Sequence, residues 1–201
     1  MAPYSLWLFV LFAIVIPLHL AAKDEVATTL PPPEKPLKFM ASRFTYLNLT
    51  TLDLPDVTCT KAATIWNSST RTFTQYVLVK SDGNWLRKDV NYKPIWKTIR
   101  PLWLQGFTFL NKTTNETTTY TLNYTMRDCA VINKQIRNKT GGVESEGWEL
   151  WVNDAYFRRN HTNEEFCRMH YMNVCKCGNS TRKVYSKDEC EGNPYKLILV
   201  S

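Results

Sequence analysis

The sequence predicts an all-β protein, an eight-stranded antiparallel up-and-down barrel with one C-terminal α-helix packed on its wall. Eight segments rich in Thr, Val, Tyr, Phe and Trp follow one another along the chain, as is typical of strands. Short connections with turn-forming residues separate them, and one later segment has helical periodicity instead. An immunoglobulin-like sandwich is the alternative, but the helix and the cysteine positions argue against it.

Two segments precede the predicted barrel. Residues 1–22 carry no charged side chain, and Leu6–Leu20 is almost purely apolar. This pattern is typical of a cleaved signal peptide, with an uncleaved membrane anchor as the alternative. Residues 23–36 are polar and rich in proline, which predicts an extended, poorly packed lead-in. The barrel domain is then expected over residues 37–201.

The clearest strand is Thr118–Met126, in which apolar and polar residues alternate with a period of two. Its polar face carries Asn123, which lies in an N-x-S/T glycosylation sequon. Since a glycan must face solvent, the opposite face is expected to point into the barrel. That face consists of Tyr120, Leu122, Tyr124 and Met126.

The remaining strands are assigned from composition and from the turn residues between them, such as Ser81–Asn84 and Gly141–Gly142. They are Phe39–Leu47, Val57–Trp66, Arg71–Lys80, Tyr92–Arg100, Trp103–Leu110, Asp128–Asn133 and Gly147–Val152. Further inward-facing candidates on these strands are Phe107, Trp103, Phe109, Phe73 and Trp96.

A helix is predicted from Thr162, a capping residue followed by acidic residues in the first turn, to about Val174. Cys167, Tyr171 and Val174 are spaced i, i+4, i+7 and therefore share one face of it. Cys167 is expected to face the body of the protein.

Cysteines and sequons both indicate an exported protein. The six cysteines, an even number, favour disulfides, but six cysteines permit 15 pairings. Eight sequons without proline predict exposed, glycosylated positions. The cysteines are Cys59, Cys129, Cys167, Cys175, Cys177 and Cys190; the sequon residues are Asn48, Asn67, Asn111, Asn115, Asn123, Asn138, Asn160 and Asn179.

Composition and motifs favour a binding protein over an enzyme. The net charge of +7 is scattered, which favours a soluble basic surface over a nucleic-acid site, and glycans would obstruct such a site. Only His161 and His170 follow residue 22, and no known catalytic motif or phosphate-binding glycine loop is present. A zinc site of Cys175, Cys177 and His170 would have too few ligands. We expect no catalytic residue, metal or cofactor.

Four short motifs resemble a known family. Asp128-Cys129-Ala130-Val131 is followed by Glu149-Leu150-Trp151-Val152, by a helix that bears a cysteine, and by Val184-Tyr185-Ser186 before a final Cys190. Over about residues 37–195 the chain thus resembles the tick salivary lipocalins of the histamine-binding type. The resemblance implies an eight-stranded barrel with a C-terminal helix that sequesters a host mediator, or in some members binds a complement protein.

The resemblance also implies two disulfides, Cys59–Cys190 and Cys129–Cys167. Cys175 and Cys177 stay unassigned, because the position before Glu-Leu-Trp, where many relatives have a cysteine, is Trp148 here. A bridge between them, exchange with the other pairs and an intermolecular bond all remain open.

Two ligand classes follow from these residues. Glu149 and Trp151 share one strand face and would together hold a cation in the cavity. The alternative is that Glu149 lies on the surface or pairs with an internal arginine. Amine-binding relatives carry an aspartate where this chain has Ala130, which weakens the amine hypothesis. The aromatic inward candidates suit a fatty acid, eicosanoid or sterol, although they would also simply fill a barrel without ligand space.

The predicted function is therefore that of a secreted, monomeric lipocalin that sequesters a lipid or a biogenic amine and so modulates inflammation or haemostasis. The predicted ligand-binding residues are Glu149, Trp151, Tyr120, Leu122, Tyr124 and Phe107. The alternative is an immune modulator that binds a host protein, such as a complement component, through its surface.

Overall fold

The computed structural model describes residues 36–97, 103–158, 161–177, 181–185 and 187–191, with four helices and nine strands among them. The predicted signal peptide and residues 23–35 of the lead-in lie outside the described residues. The helices are α1 Pro36–Met40, α2 Asp154–Arg158, α3 His161–Cys175 and α4 Lys187–Glu191. The strands are β1 Thr45–Thr50, β2 Val57–Asn67, β3 Thr72–Ser81, β4 Asn84–Lys97, β5 Trp103–Asn111, β6 Glu116–Thr125, β7 Cys129–Arg137, β8 Val143–Asn153 and β9 Arg182–Lys183.

The strands form a closed antiparallel barrel. β2 to β8 follow one another as hydrogen-bonded neighbours, and β1 pairs with both β8 and β2. This double pairing leaves no free edge in the eight-stranded sheet, so the predicted up-and-down barrel is confirmed. The short β9 adds to the end of β1, where Lys183 pairs with Leu49.

The chain enters the barrel differently from the prediction. The expected first strand, Phe39–Leu47, is wrong at its start, because residues 36–40 form α1 and β1 begins only at Thr45. Pro36 is the first residue of α1, a position that needs no backbone N–H and suits the fixed φ of proline. The apolar residues Phe39 and Met40 are both buried, on a helical turn that lies inside the barrel end.

The fourth strand begins eight residues earlier than predicted. Ser81 pairs directly with Asn84, so β3 and β4 are joined by the two-residue turn Asp82-Gly83. Both turn residues have positive φ, 49° and 75°, which is the geometry that lets a tight hairpin follow the twist of its strands. In the segment after the turn, three consecutive charged residues, Arg87, Lys88 and Asp89, interrupt the apolar residues.

Helix α3 packs against β7 and β8, as predicted for the helix on the barrel wall. Cys167 and Tyr171 are fully buried on its inner face, and the Tyr171 hydroxyl donates to the Trp148 carbonyl oxygen at 3.4 Å. The structure joins Cys129 to Cys167 and Cys59 to Cys190, with Cα–Cα distances of 6.3 and 5.5 Å.

The two cysteines left unassigned are joined to each other. The structure connects Cys175 to Cys177, directly after the last turn of α3, and all six cysteines are thereby paired. Lys176 between them has a positive φ of 50°, which turns the chain sharply at the end of the helix. Among the described residues no helix is long and apolar enough to cross a membrane.

Candidate ligand-binding cavity

The barrel encloses a cavity of about 320 Å³, near the lower limit for sites that bind small molecules. One end is closed by α1, whose Phe39 and Met40 side chains line the cavity floor. At the other end the lining reaches Leu54 in the β1–β2 connection and Asn111 at the end of β5, where the cavity meets solvent. Among the described residues, α1 therefore covers one end of the cavity, and strand connections surround the other.

The wall of the cavity is aromatic. Phe107 and Tyr120 stack with their ring centroids 4.9 Å apart, and Tyr92 meets Phe107 edge-on at 5.0 Å. Phe73 meets the same Phe107 ring at 6.1 Å, which links four strands through one aromatic cluster. Such offset and edge-on pairs stabilise the rings beyond their buried area.

A buried ion pair lies within this aromatic wall. Glu149 is 1% exposed, and its Oε1 lies 3.3 Å from Nζ of Lys134 on the neighbouring strand β7. Its Oε2 accepts a hydrogen bond of 2.7 Å from Nε1 of Trp151. Both oxygens of the carboxylate therefore have a partner, and its negative charge is neutralised within the protein.

Two tyrosine hydroxyls add polar groups to the wall. The rings of Tyr92 and Tyr120 meet edge-on with their centroids 5.6 Å apart, and burial is the main reason that the pKa of each phenol lies well above its usual value. The Glu149 carboxylate raises the pKa of Tyr120 further. Both phenols therefore stay protonated at physiological pH and remain hydrogen-bond donors.

Four of the six predicted ligand-binding residues line the cavity, namely Glu149, Trp151, Tyr120 and Phe107. Leu122 packs with the interior aromatic cluster but does not reach the cavity surface. Of the further candidates, Phe109 lines the cavity, and Phe73 and Trp96 belong to the interior cluster. The side chain of Trp103 lies outside the described residues.

The inward position predicted for Tyr124 is wrong. Leu122 pairs with Ile132 and Tyr124 with Val131, so Asn123 is the extra residue of a β-bulge. The bulge reverses the alternation, and Tyr124 and Met126 pack on the helix side of the sheet. There the Tyr124 ring stacks on His170 of α3 at 3.6 Å between centroids.

The sequence prediction missed Lys134 as a site residue. The predicted strand ended at Asn133, whereas β7 continues to Arg137 and directs Ile132, Lys134 and Ile136 into the cavity. A lysine between two isoleucines at period two was the signal, because it places a charge on an apolar strand face. Lys88 was missed in the same way, since β4 began too late in the prediction.

The sequons differ in their accessibility. The side chains of Asn67, Asn115 and Asn123 are exposed, those of Asn111 and Asn138 are partly buried, and Asn160 and Asn179 lie outside the described residues. The expected exposure of Asn48 is wrong, because Asn48 is 8% exposed. Its Nδ2 donates to the Tyr156 hydroxyl at 3.5 Å, which fixes the side chain against α2.

Comparison with known proteins places this barrel among known folds. No family model matches the chain, and no curated protein matches it. Among solved structures, the siderocalin Ex-FABP aligns at a TM-score of 0.51 and 11% identity, over 74% of this chain and 95% of its own. Lobster apocrustacyanin A1 aligns at 0.52 and 13%, over 75% and 80%.

Aphrodisin, described as a sex pheromone from the female hamster, aligns at a TM-score of 0.50 and 7% identity, over 77% of this chain and 99% of its own. These neighbours are lipocalins, with a closed barrel and a helix packed on it. The chain has the lipocalin fold. Within this lipocalin barrel the cavity between α1 and the open end is the candidate binding site.

Proposed function

We propose that the protein is a secreted lipocalin that sequesters a small, mostly apolar ligand whose polar end carries no net charge. The Lys134–Glu149 ion pair inside the aromatic cavity is the observation that carries this proposal. A buried charge is costly unless it is paired, and here the paired charges balance before any ligand enters.

The charges nearer the open end also balance. Lys88 and Glu116 both line the cavity, and Lys88 lies 5.9 Å from the centroid of the Phe109 ring. An ammonium or a carboxylate carried to the centre of the cavity would add one unmatched charge. A hydroxyl or carbonyl needs only a hydrogen bond, which the phenols of Tyr92 and Tyr120 supply.

This proposal changes the amine hypothesis. Glu149 and Trp151 do share the cavity, but the indole N–H and Lys134 already occupy the carboxylate. An amine ligand would have to displace Lys134 and leave its ammonium inside the barrel. Glu149 thus pairs with an internal lysine, Lys134, where the sequence had suggested an internal arginine as the alternative.

Two other features support ligand binding. The Asp128–Val131 and Glu149–Val152 motifs resemble the tick salivary lipocalins, a family of mediator scavengers. One neighbouring structure is described as a siderocalin with dual ligand specificities. Secretion is supported by the apolar leader, the sequons and the paired cysteines. The alternative, binding of a host protein, stays a prediction that a pull-down from serum would test.

The test uses dodecanol, dodecanoate and dodecylamine, which share one alkyl chain and differ only in charge. Titration is followed by fluorescence of the cavity residue Trp151 against a Trp151→Phe control. Dodecanol should bind at least tenfold tighter than either charged ligand, a difference of about 1.4 kcal/mol. Glu149→Gln should shift the preference to dodecanoate, and Lys134→Met should shift it to dodecylamine. Tightest binding of dodecylamine by the unmodified protein, or no binding of any of the three, would refute the proposal.

A further inference from the structure

The open end of the barrel is surrounded by strand connections that we name the rim. The rim comprises residues 51–56, 82–83, 112–115 and 138–142, which join β1 to β2, β3 to β4, β5 to β6 and β7 to β8. Among the described residues α1 covers the opposite end, so the rim is the entrance that we infer for a ligand.

Three sequons lie at two neighbouring turns of the rim. Asn111 is the last residue of β5 and lines the cavity, and Asn115 ends the same turn with an exposed side chain. Asn138 begins the β7–β8 turn. A surface groove joins the two turns, and its lining residues are Thr114, Glu116, Asn138, Lys139, Thr140 and Glu144.

The side-chain amides at Asn111 and Asn138 have a common arrangement. Oδ1 of Asn111 accepts from the backbone N–H of Thr113 at 3.1 Å, and Oδ1 of Asn138 accepts from that of Thr140 at 3.1 Å. In each case the donor is the threonine of the same sequon. The oxygen edge of the amide is thus held by the turn, and Nδ2, to which a glycan is attached, lies on the other edge.

Asn48 provides the contrast within the same chain. Its Nδ2 donates to the Tyr156 hydroxyl, and its side chain is buried between β1 and α2. A glycan there would displace this contact, whereas a glycan at the rim displaces no hydrogen bond of the turn that carries it. Position in the fold therefore separates the rim sequons from Asn48.

We propose that N-glycans on Asn111, Asn115 and Asn138 form a collar at the mouth of the barrel that admits small molecules and excludes proteins. Each glycan is bulky, hydrated and mobile, so the collar sweeps the space above the opening without filling the cavity. A macromolecular partner would then have to dock elsewhere on the barrel. The inference rests on the proposed secretion of the chain, because glycosylation requires export, and it is independent of the ligand.

The test compares a macromolecular probe with a small one at the same two side chains. Lys112 and Lys139 are exposed, and each is the middle residue of a rim sequon. Trypsin cleavage after them reports access for a protein, because exposed turns are preferred cleavage sites. Acetylation by a small soluble ester reports access for a small molecule. Neither measurement requires a ligand, so this test and the ligand titration can fail separately.

The full chain is produced in a secretory eukaryotic host, and site occupancy is measured by mass spectrometry after glycosidase treatment. The collar-free variant, Thr113→Ala/Thr117→Ala/Thr140→Ala, keeps all three asparagines. The matched control, Ser69→Ala, removes the sequon of Asn67 at the closed end of the barrel. Enzymatic removal of glycans from the unmodified protein replaces the triple variant if that variant does not fold.

Occupied rim sequons should slow trypsin cleavage at Lys112 and Lys139 by roughly tenfold relative to the collar-free protein, with equal acetylation of both. Ser69→Ala should cleave as slowly as the unmodified protein. Unoccupied rim asparagines would overturn the proposal, and so would equal cleavage with and without the glycans. Slower acetylation of the glycosylated protein would also overturn it, because the collar would then block small molecules.

Discussion

The ion pair between Lys134 and Glu149 gives the sharpest prediction for stability. Replacing Lys134 with Met leaves a carboxylate that is 1% exposed and retains only the indole N–H of Trp151 as a partner. Loss of one partner of a buried pair costs about 3–5 kcal/mol, and we expect about 4 kcal/mol here. Glu149→Gln should cost less, about 3 kcal/mol, because the Lys134 side chain is 20% exposed and can hydrate its ammonium.

The double variant Lys134→Met/Glu149→Gln separates the pair from its surroundings. Because both charges are absent, the loss of unfolding free energy in the double variant should be smaller than the summed losses of the two single variants, by at least about 2 kcal/mol. Urea unfolding at neutral pH, with equal m-values required for all variants, provides the free energies. The exposed pair Arg87–Asp89 is the matched control, and its coupling should be much weaker than that of Lys134 and Glu149, because solvent screens it. Additivity of the Lys134 and Glu149 variants within about 0.5 kcal/mol would refute the reasoning.

Three further predictions concern the scaffold. Replacing both cysteines of the β7–α3 disulfide with alanine should lower the free energy of unfolding by about 4 kcal/mol, because this disulfide closes a loop of 38 residues. The same replacement in the disulfide at the end of α3 should cost only about 1 kcal/mol, and urea unfolding of both variants measures the difference. Gly106→Ala would place a Cβ against the Tyr120 carbonyl oxygen of β6. In thermal melts it should destabilise the barrel more than Gly83→Ala, for which the only cost is the positive φ, about 1–2 kcal/mol. Burial lowers the pKa of His170, so the unfolded chain binds its proton at higher pH than the folded chain does. Stability should therefore fall as pH drops below about 6.5, and His170→Phe should reduce that slope in unfolding curves measured across this range; an unchanged slope would contradict the assignment.

The regular strands of this fold could be predicted from the sequence because their apolar and polar residues alternate with a period of two. In β5 and β6, side chains alternate without interruption from Phe107 to Asn111 and from Glu116 to Leu122, and the predicted inward residues on those stretches are interior. The helix was predicted from Thr162 and the acidic residues that follow it, and the structure begins it one residue earlier, at His161.

The predictions of side-chain orientation and strand length were wrong where the alternation of a strand is interrupted or where the strand continues beyond its predicted end. The bulge at Asn123 reverses the side-chain alternation, yet the residues on either side of it look like one continuous strand. Lys134 lay one residue beyond the predicted end of β7, and a lysine is read from sequence as solvent-exposed. Its partner Glu149 is contributed by another strand, so only the sheet register brings the two together.

Ala130 contributes an uncharged side chain to the interior of the barrel. It is fully buried in the interior cluster and pairs with Trp151 across β7 and β8. An aspartate at this position would give the cavity an excess negative charge. With alanine there, Lys134 neutralises the Glu149 carboxylate, and among the described residues at the cavity centre no other carboxylate is left for an ammonium ligand.

It follows that Ala130→Asp should create an amine site. The added carboxylate would have no partner of its own beside the Lys134–Glu149 pair, so an ammonium ligand would restore neutrality. Dodecylamine should bind this variant at least tenfold tighter than it binds Ala130→Asn, which has nearly the same volume and no charge; tenfold corresponds to about 1.4 kcal/mol. Equal affinity of the two variants would show that the charge balance of the cavity does not select its ligand, since aspartate and asparagine have nearly the same size.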